Sequence, residues 1–239
     1  MRAIAPRSPD TRNLVRLLGW LALAALLLAA GDAFAHDLSE ANKTYVQSID
    51  GPAPVPFFYL GAKHMVTGID HILFLIGVVF FLYKLRDVVI YVTMFTIGHS
   101  TTLLAGVLLG TGLNTYIVDA IIGFSVIYKA FENLGGFTRL GFGINTKLAV
   151  LVFGLFHGLG LATKLQDLTS SPNGLLVNLI SFNIGVEIGQ VLALAVVVTL
   201  LNLWRATPSF REGAVFANVL LLAGGVALTV NQVSGYLAS

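Results

Sequence analysis

GLLVNLISFNIGVEIGQVLALAVVVTLLNL, residues 174–203, carries one ionisable side chain, Glu187, in thirty positions. A helix needs about 20 mainly apolar residues to cross the hydrocarbon core of a bilayer. This stretch is therefore a transmembrane span, long enough to tilt or to extend past the bilayer. Working outward, further apolar runs of spanning length occur at 64–83, 87–110, 114–131, 146–163 and 214–237. The composition agrees: of 239 residues 56% are hydrophobic and 11% charged, against roughly 25% charged in an ordinary soluble domain. A soluble globular protein is excluded. The expectation is an all-α polytopic membrane protein, with one domain of six transmembrane helices over residues 64–239.

The N-terminus reads as a leader. Arg2, Arg7, Arg12 and Arg16 precede an apolar stretch from Leu17 to Ala30, and Ala33-Phe34-Ala35 supplies a small-x-small cleavage pattern. Residues 1–35 are thus expected to be a cleavable secretory signal peptide rather than a retained first span. Cleavage would leave His36 first, followed by a polar arm over 36–63, which Gly51, Pro52, Pro54 and Pro56 mark as irregular. The formal charge of +2 comes from the leader. Beyond residue 35 the Lys+Arg and Asp+Glu counts are 10 and 10, so there is no basic surface for nucleic acid. With no cysteine, a disulfide framework, a thiolate metal site and a cysteine nucleophile are all excluded.

Loop charges orient the bundle. If the first span runs inward, Lys84, Arg86, Lys129, Arg139, Lys147, Arg205 and Arg211 lie inside, and Lys43, Lys63 and Lys164 outside. That distribution places both mature termini in the periplasm and the protein in a bacterial inner (cytoplasmic) membrane.

Ionisable groups at membrane depth cost about 2.5–3.5 kcal/mol each on insertion scales, so they need a partner or a task. In this topology His71, His99, His157 and Glu187, each on a different span, fall between the outer half of the bilayer and its midplane. His64 and His71 are seven apart, two turns along one helical face, with Thr67 between them. Asp70 points about 100° away from His71, toward a neighbouring helix or a histidine of another span. Asn183, Glu187 and Gln190 form one polar stripe, and Thr96, His99 and Thr102 another, with Ser100 alongside. The amides and hydroxyls among them also suit interhelical hydrogen bonding. Asp119 and Lys129, near the ends of their span, can snorkel to the interfaces. Gly154-x3-Gly158 brackets His157 and Gly185-x3-Gly189 brackets Glu187, which suggests that spans four and five meet at the site. Phe95-x3-His99 and Phe153-x3-His157 hint at a repeat relating spans two and four.

Imidazole and carboxylate without sulfur suit borderline divalent ions, and ligand type alone does not choose among nickel, cobalt, zinc and copper. The candidate metal residues are His64, Asp70, His71, His99, His157 and Glu187, supported by Thr67, Thr96, Ser100, Asn183 and Gln190. A permease built on them must release its ion as well as bind it.

The element His64-x5-Asp70-His71, in the setting HMVTGIDHILFL, resembles the HX5DH motif of the hydrogenase/urease accessory HupE/UreJ family, and Phe156-His157-Gly158 resembles the start of that family's second motif. The resemblance extends over the leader, the span pattern and the order of the polar helices. It implies nickel or cobalt uptake across the inner membrane, with His64, Asp70, His71 and His157 on the metal pathway. One departure stands out: the family's second motif continues to a glutamate, whereas FHGLGLATKL has none, and the nearest membrane acid is Glu187. The elements GHS (98–100) and FNIGVEIGQ (182–190) suggest a distinct branch.

A competing reading is an intramembrane zinc hydrolase similar to the ceramidase-like superfamily. There His71, His99 and His157 would hold zinc, with Asp70 or Glu187 as base. A third is a non-catalytic membrane subunit whose polar set only holds the bundle together.

Overall fold

The computed structural model describes residues 46–166 and 173–239, all within one compact unit, Asp37–Ser239. The expected signal peptide, His36 and the first part of the arm lie outside the described residues. The helices are α1 (Pro54–Thr67), α2 (Ile69–Val79), α3 (Leu85–Leu109), α4 (Thr115–Asn133), the single turn α5 (Gly136–Arg139), α6 (Thr146–Gln166), α7 (Leu175–Arg205) and α8 (Ser209–Ala238). No strand occurs among the described residues. Four of these helices, α3, α6, α7 and α8, are long and apolar enough to cross a membrane, and α1 with α2 makes a fifth if the bent pair is one span. The expected third span forms α4, whose 19 residues include Asp119, Lys129 and Glu132, more charge than a lone spanning helix tolerates. Within the bundle these charges are paired: Lys164 Nζ lies 2.8 Å from Asp119 Oδ2, and Lys129 Nζ 2.7 Å from Glu132 Oε2.

The first span differs most from expectation. It begins ten residues early, because Pro54 supplies a helix start whose missing N–H would be unsatisfied anyway. It then breaks at Gly68, where the chain turns extended (φ −69°, ψ 104°) and the two halves bend by 62°. Residues 54–63, expected to be irregular, are therefore helical and packed on α7. The Gly68 N–H closes α1 on the His64 carbonyl at 2.9 Å, and α2 restarts with Ile72 N–H on the Gly68 carbonyl at 3.0 Å. At the C-terminal end of α2, Arg205 donates to the carbonyls of Val79 and Phe80, each at 2.6 Å, and of Leu82 just beyond it at 3.0 Å. The carbonyls of Val79 and Phe80 are ones that a helix end leaves without intrahelical partners, and that of Val79 also takes the Leu82 N–H at 3.0 Å. The same guanidinium stacks over the Tyr83 ring at 4.6 Å. Most of α2 is buried, as expected of a helix that is apolar all round.

Three intimate helix pairs surround α2: α3 with α6, α1 with α7, and α4 with α8. Each crosses at glycine. A Cβ on Gly154 would collide with the Phe95 carbonyl and one on Gly158 with the His99 carbonyl, while Gly61 and Gly185 seat the backbones of α7 and α1 on each other. Gly123 and Gly225 do the same for α4 and α8. The glycine faces around His157 and Glu187 therefore do not bring spans four and five together. The first receives α3 and the second α1, because each glycine groove is filled by the backbone of a different histidine-bearing helix. Gly158→Ala should destabilise the bundle by about 1–3 kcal/mol through overpacking. Gly224→Ala, where the new methyl meets only Leu73 Cδ1 at 3.6 Å, should leave the melting temperature unchanged. Equal melting of the two variants in detergent would contradict the α3–α6 crossing.

Lys129 does not snorkel. Its side chain is buried, its β- and γ-carbons lie beside Gly77, and its ammonium is held by Glu132, which also accepts from Thr146. One turn on, Asn133 Nδ2 bridges the Gly77 carbonyl and Asn218 Oδ1, both at 2.9 Å. Burying the apolar stem against α2 while keeping the ammonium paired removes the need to reach the interface.

Candidate functional site

Four helices deliver the histidines. His64 sits in the last turn of α1, His71 in the first turn of α2, His99 midway along α3 and His157 midway along α6. The bend at Gly68 takes His64 and His71 off a common helical face, yet their rings stay close, with centroids 5.0 Å apart. His71 lies 5.0 Å from His157 and 6.2 Å from His99. The α3–α6 crossing sets the last two, since Gly158, next to His157, seats the backbone of His99. His71, His99 and His157 are each 1–2% exposed. The Phe-x3-His elements of α3 and α6 face one another. Phe95 stacks on His99 at 5.8 Å and meets His157 edge-on at 5.1 Å, and Phe74 packs on His157 at 5.2 Å.

Asp70 turns back onto its own helix. Its Oδ1 accepts the backbone N–H of His71 at 2.7 Å and lies 3.0 Å from His71 Nδ1. The break at Gly68 explains this, because at the first turn of α2 backbone N–H groups have no intrahelical acceptor and a carboxylate folds back to take them. A carboxylate at Nδ1 fixes the tautomer with its proton there and puts the lone pair on Nε2. His157 is set the same way by the Phe153 carbonyl, 2.7 Å from its Nδ1. Gly68 is part of this arrangement: a Cβ there would stand 3.0 Å from both His71 Nδ1 and the His64 carbonyl.

Two imidazoles sharing one ion, with metal–nitrogen bonds of about 2.0–2.1 Å, have ring centroids roughly 5 Å apart. The His64–His71 and His71–His157 pairs meet that spacing, and His99 stands farther off. Among the described residues, however, no three His, Asp or Glu side chains stand in ready coordination.

Glu187 is not in the histidine group. It is exposed, and its carboxylate accepts from Asn183 Nδ2 at 3.4 Å. Gln190, 2% exposed, accepts through Oε1 from Thr96 Oγ1 at 3.2 Å and so ties α7 to α3. Ser100 Oγ is buried near His99 in sequence and has no hydrogen-bond partner among the described residues. Thr67 is exposed and turns its hydroxyl back to the Lys63 carbonyl at 2.8 Å.

Residues 40–239 match the family model described as HupE / UreJ protein. The chain belongs to the HupE/UreJ family. No curated protein and no solved structure matches it. In this HupE/UreJ protein, sequence reasoning missed Phe74 and the role of Phe95, which wall the histidines, and Arg205, which secures the C-terminal end of the helix that carries Asp70 and His71. The signal for Phe95 was present in the Phe-x3-His repeat, to which Phe74 does not belong. For Arg205 the sequence offered only the position of a cation at a helix end.

Proposed function

We propose that this HupE/UreJ protein is an inner-membrane permease for a divalent transition-metal ion, nickel or cobalt, with both mature termini in the periplasm. The observation that carries this reading is the gathering of His71, His99 and His157, buried and from three helices, with His71 oriented by Asp70 and His157 by a backbone carbonyl. Burying three imidazoles side by side costs solvation and offers nothing to packing that phenylalanine would not, so the cost is best explained by a cation they receive. The metal is the substrate. His71 and His157 present Nε2 lone pairs to it, His64 hands it over at the joint between α1 and α2, and His99 takes part from α3. Pairwise rather than closed spacing suits an ion held in passing, since a permease site must also let go. The HupE/UreJ resemblance supplies the preference for nickel or cobalt.

The test is metal content and titration of the purified protein with nickel, cobalt, zinc and copper, beside the His71→Ala/His157→Ala double variant, followed by uptake in cells. Exchangeable nickel or cobalt binding that disappears in the variant is expected. Stoichiometric zinc that survives purification would overturn the permease reading in favour of a hydrolase.

Because imidazole must be neutral to ligate, protons compete with the metal. Apparent metal affinity should therefore fall as the medium is acidified. A binding curve that does not change with pH would count against histidine ligation.

A further inference from the structure

Glu187 poses a problem that the histidine group does not solve. It is the thirteenth of 31 residues in α7, about 18 Å along the helix from its N-terminal end, yet its side chain is exposed. Ionisable residues at such depth face the bundle interior or a water-filled cavity. Glu187 borders the seam where α7 meets α3, and that seam is unlike the three glycine crossings. The two helices touch only sparsely, and the contact between them includes the polar bond Thr96–Gln190.

Within two turns of that bond along the two helices, four polar atoms are buried with no hydrogen-bond partner among the described residues: Asn183 Oδ1, Gln190 Nε2, Ser100 Oγ and His99 Nε2. Their side chains are not marginal. Asn183 is 9% exposed, Gln190 2% and His99 1%. An unsatisfied buried polar atom costs about 1–3 kcal/mol, and native proteins meet that cost with ordered water or an ion. Glycine or leucine at these positions would have sealed the seam as it is sealed elsewhere in the bundle.

We infer that the α3–α7 seam is a water-filled side vestibule, in which Glu187, with the Asn183 amide oxygen, captures a hydrated divalent cation ahead of the buried histidines. This rests on the permease reading and adds to it a second, oxygen-bearing site. The carboxylate attracts the cation while it keeps most of its water, as hard oxygen ligands do. Gln190, Thr96 and Ser100 line the approach to His99, whose Nε2 is the first imidazole nitrogen the ion meets. His99 is thereby the receiving ligand, which accounts for its standing 6.2 Å from His71 rather than 5.0 Å.

The chain contains no cysteine, so single cysteines report without background. Asn183→Cys and Glu187→Cys, in full-length protein in membrane vesicles, are treated with a water-soluble cationic methanethiosulfonate reagent, which reacts with ionised thiols in water. Ile188→Cys and Leu192→Cys, on exposed apolar positions of the same helix, are the controls. Positions 183 and 187 are expected to label at least tenfold faster than 188 and 192. Nickel should slow labelling at Asn183→Cys, where Glu187 is retained, and Glu187→Gln should raise half-saturation for uptake tenfold or more. Labelling at 183 and 187 as slow as at the controls would overturn the vestibule. Fast labelling that nickel leaves unchanged would overturn cation capture. The labelling comparison needs no metal, so its failure is distinct from failure of the permease reading, which the His71→Ala/His157→Ala titration decides.

Discussion

Asp70→Asn is expected to lower metal affinity ten- to a hundredfold and to abolish uptake, while the protein still folds. The size follows from what such outer carboxylates are worth to metal-binding histidines elsewhere. The mechanism is particular to this joint. Asp70 Oδ1 lies 3.0 Å from His71 Nδ1 and also accepts the His71 backbone N–H. A carboxylate can only accept, so it holds the imidazole proton on Nδ1 and leaves the Nε2 lone pair for the ion. Both contacts are to one oxygen, so an asparagine either keeps a neutral amide oxygen there, which holds the proton on Nδ1 less firmly, or turns its NH2 to Nδ1 and gives up the backbone bond. In the second case the proton moves to Nε2, and the ligand is converted into a donor that a cation cannot use. His71→Ala should lose as much binding by removing the ligand outright. A nickel isotherm for Asp70→Asn that superimposes on the unaltered protein would refute this account, as would normal metal accumulation in cells. A melting temperature close to the parent's confirms that the loss is one of coordination.

The second large effect is on stability. Glu132→Ala should cost about 3–5 kcal/mol, because it strands the Lys129 ammonium inside the bundle without its counter-charge. The Lys129 side chain is 5% exposed and Glu132 24%, with 2.7 Å between their charged atoms. Glu132 also accepts from Thr146, so the same change releases the start of α6. Removing both charges, as in Lys129→Met/Glu132→Gln, should recover most of the loss, since no buried charge is then left without its partner. Thermal unfolding of the two variants in one detergent checks this. If the double variant melts no higher than Glu132→Ala, the pair is not what the single change disrupts.

Helix content and membrane character were legible in the sequence because a bilayer imposes its length and polarity on any chain that crosses it. The histidines were legible for the same reason, as expensive side chains stand out against an apolar background. The break at Gly68 was not, since a single glycine within an apolar run is also what close helix packing requires, and periodicity carries across it unchanged. That one residue decided a further matter: Asp70, read as pointing away from His71, folds back onto it at the new helix start. The pairing of helices was also hidden. Small-x3-small faces say that a backbone approaches closely without saying which, and here α3 and α1 fill the grooves beside His157 and Glu187. Lys129 was misjudged because its partner, Glu132, lies outside the stretch that was read as apolar.

The bend at Gly68 has a mechanical meaning. His64 belongs to a helix clasped along its length by α7, whereas His71 belongs to one lodged among α4, α7 and α8 and tethered at its far end by Arg205. Yet the tether is itself the last residue of α7. One helix therefore holds both halves of the bend, α1 along its length and α2 at its far end, so the 5.0 Å between the His64 and His71 rings is set by α7 as much as by the glycine between them.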